Sequence, residues 1–183
     1  MRVVKTKIEG CLLIEPTIYQ DQRGYFFESF NAKDFEVATG ISPEFVQDNE
    51  SKSTYGVIRG LHYQLAPHAQ AKLVRVVKGR VWDVVVDIRK GSPTFGEHFA
   101  VELSEENHLQ CYIAKGLAHG FAVLSEEAVF QYKCDAYYNR QAEAAIAWND
   151  PTLNIPWPIP PSDVILSEKD QAHPCLAEAH LFE

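Results

Sequence analysis

Leu73-Val74-Arg75-Val76-Val77 and Val81-Trp82-Asp83-Val84-Val85-Val86-Asp87-Ile88 decide the fold class, with Lys78-Gly79-Arg80 between them. Both runs are rich in β-branched residues, which pack well on a pleated surface and crowd the turns of a helix. The glycine between two cations is a hairpin turn signal, so the spacing predicts two consecutive strands joined by a tight turn. The pattern continues outward. Phe99–Leu103 follows the turn Gly91-Ser92-Pro93, Gln110–Ile113 precedes Lys115-Gly116, and Phe121–Leu124, Ala128–Asp135 and Ala144–Trp148 come after. Short strands at this spacing predict an all-β barrel or jelly roll rather than βαβ units. Helical signals are few: Asn31–Thr39, with Asn31 as N-cap and Gly40 as stop, and Ser167–Ala172, capped by Ser167. Asn149–Pro161 holds five prolines and is expected to be an extended connection.

A chain of 183 residues predicts a single domain, 1–183, with a full hydrophobic core. Apolar residues make up 46%, too many for disorder. The net charge of -8 disfavours nucleic acid as the main partner, because phosphate backbones want a basic surface. A small anionic ligand reads only local charge and is not disfavoured. The four cysteines, Cys11, Cys111, Cys134 and Cys175, are widely spaced and form no Cys-x-x-Cys pair. The N-terminus lacks a charged start followed by an apolar run, and no apolar stretch approaches the roughly 20 residues that span a bilayer. Reduced thiols, no membrane and a cytoplasmic location are therefore expected.

Several polar groups fall on segments that otherwise read as buried strand. Alternation along Ala128–Asp135 puts Ala128, Phe130, Tyr132 and Cys134 on one face, so Tyr132 points inward and its hydroxyl needs a partner. His119 shares parity with Phe121 and Val123. Lys72 shares parity with Val74 and Val76, although Leu73 and Val77 blur the pattern. His62 lies in Ile58-Arg59-Gly60-Leu61-His62, which alternates poorly, and Gly60 beside it suggests a close approach to the backbone. A buried polar group without partners costs roughly 1–3 kcal/mol. Taken singly, an inward histidine or tyrosine serves a core more often than it serves catalysis. Two histidines, a tyrosine and a lysine together in one small barrel point to a site.

Metal chemistry is the first rival. A metal site in a small barrel of this shape wants His-x-His with converging ligands, but His62 is followed by Tyr63 and Gln64, and His68 stands in a loop beside Pro67. No nucleophile elbow, dinucleotide loop or phosphate loop is present. Proton transfer without a metal or cofactor is left. A neutral histidine takes a proton, a tyrosine gives one and a lysine stabilises an oxyanion, a set suited to abstraction α to a carbonyl. Base and acid on opposite faces of the enolate invert the carbon.

The residues resemble the dTDP-4-dehydrorhamnose 3,5-epimerase family over the whole chain. The resemblance is carried by Asp21-Gln22-Arg23-Gly24-Tyr25-Phe26-Phe27-Glu28, Phe45-Val46-Gln47-Asp48-Asn49, Gly56-Val57-Ile58-Arg59-Gly60-Leu61-His62-Tyr63-Gln64, Lys72-Leu73-Val74-Arg75-Val76, Ala118-His119-Gly120-Phe121, Trp148-Asn149-Asp150-Pro151 and Leu166-Ser167-Glu168-Lys169-Asp170. It implies a cupin-type jelly-roll barrel with a few short helices, a homodimer, and epimerisation of dTDP-4-dehydro-6-deoxy-D-glucose at C3 and C5 without a cofactor. It further implies His62 as base, Asp170 polarising its other ring nitrogen, Tyr132 as acid, Lys72 at the C4 enolate and His119 lining the sugar pocket. Arg23, Glu28, Gln47, Asn49, Arg59, Glu143 and Lys169 resemble the nucleotide-sugar binding set, and Tyr138 the ring stacked on thymine. Two departures stand out: Ala114 where the family has proline, and Leu117 where it has phenylalanine. A single-centre epimerase of a related dTDP-4-keto sugar and a non-catalytic nucleotide-sugar binding module remain as alternatives.

Overall fold

The computed structural model describes residues 1–182. Its elements in chain order are β1 (Arg2–Lys5), β2 (Cys11–Glu15), β3 (Tyr19–Asp21), β4 (Gly24–Phe26), α1 (Ala32–Thr39), β5 (Gln47–Thr54), β6 (Ile58–Gln64), β7 (Lys72–Lys78), β8 (Arg80–Asp87), β9 (His98–Ser104), β10 (Gln110–Ile113), β11 (Leu117–Val123), β12 (Glu127–Cys134), β13 (Glu143–Ala145), a 3-10 turn at Pro161–Asp163 and α2 (Glu168–Gln171). One antiparallel sheet runs β1-β2-β10-β7-β12-β5 and a second runs β13-β6-β11-β8-β9, while β3 and β4 form a separate two-stranded arm. The two large sheets face each other as a cupin-type jelly roll.

The core explains why the deciding stretch is so uniformly apolar. Val74 and Val76 of β7 and Phe130 of β12 meet Val81, Val85, Phe121 and Leu103 from the other sheet. The outer faces are covered as well. Leu73 belongs to a cluster in which Phe35 of α1 covers Leu12, Ile14 and Tyr112. Val84 and Val86 pack outward under Leu153 and Leu176 of the C-terminal segment. Strands buried on both faces lose their alternation, which is why Leu73 blurs the parity of Lys72.

Three expectations need correction. β7 and β8 do not pair, although a hairpin was expected. The turn at Gly79 carries the chain from one sheet to the other. Gly79 holds a φ of +74°, and a Cβ there would lie 2.1 Å from the Glu127 carbonyl oxygen, so only glycine passes this corner. Ala144–Trp148 is strand only over Glu143–Ala145. Ile146 still exchanges backbone bonds with Leu61, but the Ala147 N–H turns away to the Pro174 carbonyl at 2.8 Å. Phe121–Leu124 is the end of a longer strand that starts at Leu117 and stops at Val123. Both helices form with the expected caps: the Asn31 side chain accepts from the Asp34 N–H, and Ser167 accepts from the Asp170 N–H.

Candidate active site

The site forms at one end of the barrel, between the sheets. Its wall on the second sheet begins at a constriction. A Cβ on Gly60 would stand 2.5 Å from the Gly120 Cα, and one on Gly120 would stand 2.8 Å from the Arg59 carbonyl oxygen. Two glycines therefore let β6 and β11 close up where their register shifts between His119 and Phe121. The close approach expected beside His62 is thus Gly120 of the neighbouring strand. Beyond the bulge His62 pairs with His119 on one side and with Ala145 of β13 on the other.

The wall on the first sheet comes from β5, β12 and β7. Tyr132 pairs with Asn49, and Cys134 pairs with both Gln47 and Lys72. The Lys72 Nζ lies 5.9 Å from the centre of the Tyr132 ring. A cavity of about 260 Å³ opens between the walls, with His62 and Glu143 on one side and Lys72, Tyr132, Asn49 and Gln47 on the other. Tyr138 also borders it. A second cavity, of about 270 Å³, involves Arg75, Gln131 and Lys133 and holds no imidazole, its carboxylates being Asp48 and Glu50.

Electrostatics give the groups distinct characters. Burial pushes the Asp170 carboxyl up, but hydrogen bonds from His62 and Ser167 outweigh it and hold the group at about 2. The ionised Asp170 accepts through Oδ1 from His62 Nε2 at 2.6 Å and through Oδ2 from the Ser167 hydroxyl at 2.6 Å. That arrangement leaves Nδ1 of His62 with its lone pair. Burial lowers the Lys72 ammonium from its ordinary value, against the pull of Cys134, Asp83 and Glu143. Burial raises the Tyr132 phenol, with Cys134 adding to the rise and Arg59 opposing it.

The remaining predicted residues divide into three groups. At the rim, Glu143 binds the Lys169 ammonium and accepts from the Tyr138 hydroxyl at 2.8 Å. Gln47 accepts from the Tyr138 N–H at 2.9 Å and donates to Asn49 at 2.9 Å. Arg59 does not itself border the cavity; it is exposed and donates through Nε to Ser53 at 3.0 Å. His119 does not border the cavity; it is buried and holds Asp83 at 2.8 Å. Arg23 stands on the β3–β4 arm in a bidentate pair with Asp21, and Glu28 accepts from Asn31 at 3.2 Å. Neither borders the cavity of His62.

Two residues beside the histidine dyads escaped the sequence reading. Asp83 had a signal, as the lone acid within Val81–Val86. His173 had none: it follows a short helix, and no period marks it. Its ring meets that of His62 edge-on at 5.4 Å, and its Nδ1 lies 3.7 Å from Asp170 Oδ1. His62, Asp170 and His173 offer ligand atoms that all lie within 4.8 Å of one another, so this group could hold a metal ion.

Comparison with known proteins extends these observations. A family model described as dTDP-4-dehydrorhamnose 3,5-epimerase matches residues 5–178. A dTDP-4-dehydrorhamnose 3,5-epimerase of Shigella flexneri is 56% identical over 170 residues, 93% of each chain. The crystal structure of the enzyme of that name from Elizabethkingia anophelis superposes with a TM-score of 0.93 at 56% identity, covering 97% of both chains. A Legionella pneumophila dTDP-6-deoxy-D-glucose-3,5-epimerase, solved in complex with dTDP-4-keto-L-rhamnose, superposes with a TM-score of 0.93 at 51% identity, over 97% of this chain and 93% of that one.

Proposed function

From the premise that this chain belongs to the dTDP-4-dehydrorhamnose 3,5-epimerase family, we propose that His62, Asp170, Lys72 and Tyr132 carry out its reaction. The protein is an isomerase that epimerises dTDP-4-dehydro-6-deoxy-D-glucose at C3 and C5 in dTDP-L-rhamnose biosynthesis. Both carbons lie α to the C4 ketone, so one enolate strategy serves both. His62 Nδ1 takes the proton from carbon, and the C–H electron pair moves through the new C=C bond onto the C4 oxygen. Lys72 stabilises that oxyanion: an ammonium weakened by burial gains most from an anion placed beside it. Tyr132 then returns a proton to the same carbon from the opposite side. The spent phenolate and imidazolium re-equilibrate with solvent before the second centre reacts.

The observation that carries this reading is the division of labour between facing sheets. The oriented imidazole stands on β6, while the phenol and ammonium stand on β12 and β7 across one cavity. An inversion needs its base and acid on opposite sides, whereas a binding module needs neither. Magnitudes agree, since one acid–base group supplies roughly 10²–10⁴-fold and an oxyanion donor roughly 10²–10³-fold.

Arg59 is proposed to hold the diphosphate, which a guanidinium can grip with two parallel bonds. Gln47, Asn49, Glu143 and Lys169 take the rest of the nucleotide sugar, and Tyr138 stacks on thymine. His119 supports the sugar pocket from behind. Arg23 and Glu28 require a second copy. Tyr19, Tyr25 and Phe26 leave 63%, 58% and 66% of their surface exposed on and beside the arm, which suits docking against a partner. A homodimer in which each arm brings Arg23 and Glu28 to the other chain's site is the arrangement we infer. The chain would work as one domain without a cofactor, and its unpaired cysteines fit the reducing cytoplasm.

Incubation with dTDP-4-dehydro-6-deoxy-D-glucose in D₂O, without any reductase, tests the reading through the H3 and H5 signals in the NMR spectrum. Loss of both is expected. Loss of one signal alone would mean a single-centre epimerase, and retention of both a binding module.

A further inference from the structure

His173 is a buried imidazole that the epimerisation does not use. Its side chain is 9% exposed, and neither ring nitrogen has a hydrogen-bond partner among the described residues. Leaving such a group unpaired is unfavourable, because its desolvation goes uncompensated. The ring is turned toward Asp170, with Nδ1 3.7 Å from the same Oδ1 that His62 Nε2 meets at 2.6 Å. Two imidazoles thus converge on one carboxylate oxygen, and the second carboxylate oxygen is occupied by Ser167.

We propose that His62, Asp170 and His173 form a binding site for a divalent first-row transition ion, with Zn²⁺ as its representative, and that the ion inhibits the enzyme. Two imidazoles and one carboxylate make a donor set suited to such ions. A tetrahedral Zn²⁺ at about 2.0–2.1 Å from each ligand spaces its donors roughly 3.4 Å apart. The donors here are 2.6 and 3.7 Å apart about Asp170, and all lie within 4.8 Å of one another. Each of the two separations about Asp170 differs from that spacing by less than 1 Å. His62 remains 31% exposed at the cavity, which gives the ion its way in and leaves the remaining coordination position to water.

The inhibition follows from the proton count on one ring. Neutral His62 carries a single ring proton, held on Nε2 by Asp170. An ion on Nε2 displaces it, and the neutral ring then carries its proton on Nδ1, the nitrogen that must accept from the substrate. No net proton is gained or lost, but the base is gone. Asp170 is drawn off at the same time, since its Oδ1 becomes a ligand. The inhibitory part rests on His62 being the base; the binding part does not.

The test is to titrate metal-stripped full-length protein with Zn²⁺ against a chromogenic chelator, and to follow deuterium exchange into the substrate in parallel. The variant is His173→Phe, which keeps the ring's volume and removes the ligand. One Zn²⁺ per wild-type chain is expected. The variant should bind at least about tenfold more weakly, as when a metal site loses a supporting group. Wild-type exchange should fall with the same midpoint as binding, while the variant, active in EDTA, keeps exchanging at that concentration. Absence of stoichiometric binding, binding unchanged in His173→Phe, or a zinc-loaded wild type that still exchanges would each overturn the proposal. Co²⁺ on the wild type decides the ligands even if the variant does not fold. Visible d–d bands without thiolate charge transfer support this site, and a thiolate band places the ion on a cysteine instead. Should wild type fail to exchange in EDTA, the epimerase reading fails while the chelator titration still decides the site.

Discussion

His62 and His119 stand opposite each other across the β6–β11 ladder, and each presents its Nε2 to its own aspartate, Asp170 at 2.6 Å and Asp83 at 2.8 Å. Two chemically identical dyads therefore lie side by side. What separates them is access. The His62 side chain is 31% exposed and opens on the cavity, whereas that of His119 is 8% exposed and stacks on Phe130 with 5.9 Å between ring centres. A base must reach the proton it removes, so only one of the two dyads can serve.

His62→Ala is expected to abolish deuterium exchange at C3 and at C5 together, by roughly 10³-fold or more. NMR in D₂O reads both centres in one experiment. Robust exchange surviving at either carbon would show that a different group acts there.

Tyr132→Phe separates abstraction from inversion. The phenylalanine keeps the ring that packs near Lys72 and Phe130 but removes the donor. Exchange should persist, while formation of the inverted product falls roughly 10²–10⁴-fold. A wild-type product ratio would remove Tyr132 from the acid's role.

Arg59→Ala should act on binding. Its guanidinium donates to the Ser53 hydroxyl, and the residue is exposed to solvent. KM is expected to rise about tenfold or more with kcat reduced far less, and the wild-type KM should climb with salt while that of the variant responds weakly. An unaltered KM would contradict contact with the diphosphate.

Asp170→Asn addresses both rate and acid stability. In the folded protein the carboxyl is held at about 2, below its ordinary 3.8. Because the folded value is depressed, its contribution to stability is complete above pH 4 or so and disappears as pH falls from about 4 toward 2. The melting temperature of the wild type should therefore drop more steeply across that window than that of the variant. Exchange should also fall roughly 10²–10⁴-fold in the variant, as His62 loses the anion that fixes its tautomer. Parallel melting curves would show that the Asp170 charge is not coupled to folding.

Gly120→Ala probes the constriction. The added Cβ would sit 2.8 Å from the Arg59 carbonyl oxygen and 3.1 Å from the Gly60 Cα. With backbone on both sides, we expect a loss of about 2 kcal/mol or more, visible as a melting point lowered by several degrees. A variant as stable as wild type would mean that the two strands can part without cost.

Much of this was legible in the chain. Val84-Val85-Val86 announces a strand because all three positions are buried, and the parity of Tyr132 with Phe130 and Cys134 held in the structure. Other parts were hidden for physical reasons. β5 reads Gln-Asp-Asn-Glu-Ser-Lys-Ser-Thr and carries no apolar alternation, because its inner face looks onto a polar cavity through Gln47 and Asn49 rather than onto the core. The corner at Gly79 has the local chemistry of a hairpin, and only the competition of β10 and β12 for the edges of β7 sends β8 to the other sheet. His173 could not be read at all, since its neighbourhood is set by where α2 docks and not by any spacing along the chain.

That docking has a consequence for synthesis. Chains grow from the N-terminus, and Asp170 follows the last barrel strand by 25 residues, counting from Ala145. The strands bearing the acid, the lysine and the imidazole itself are thus all made before the carboxylate that orients that imidazole. A ribosome-bound barrel lacking α2 would own a pocket without the carboxylate that holds His62 Nε2, so under the proposed roles epimerisation is expected only once the tail folds back.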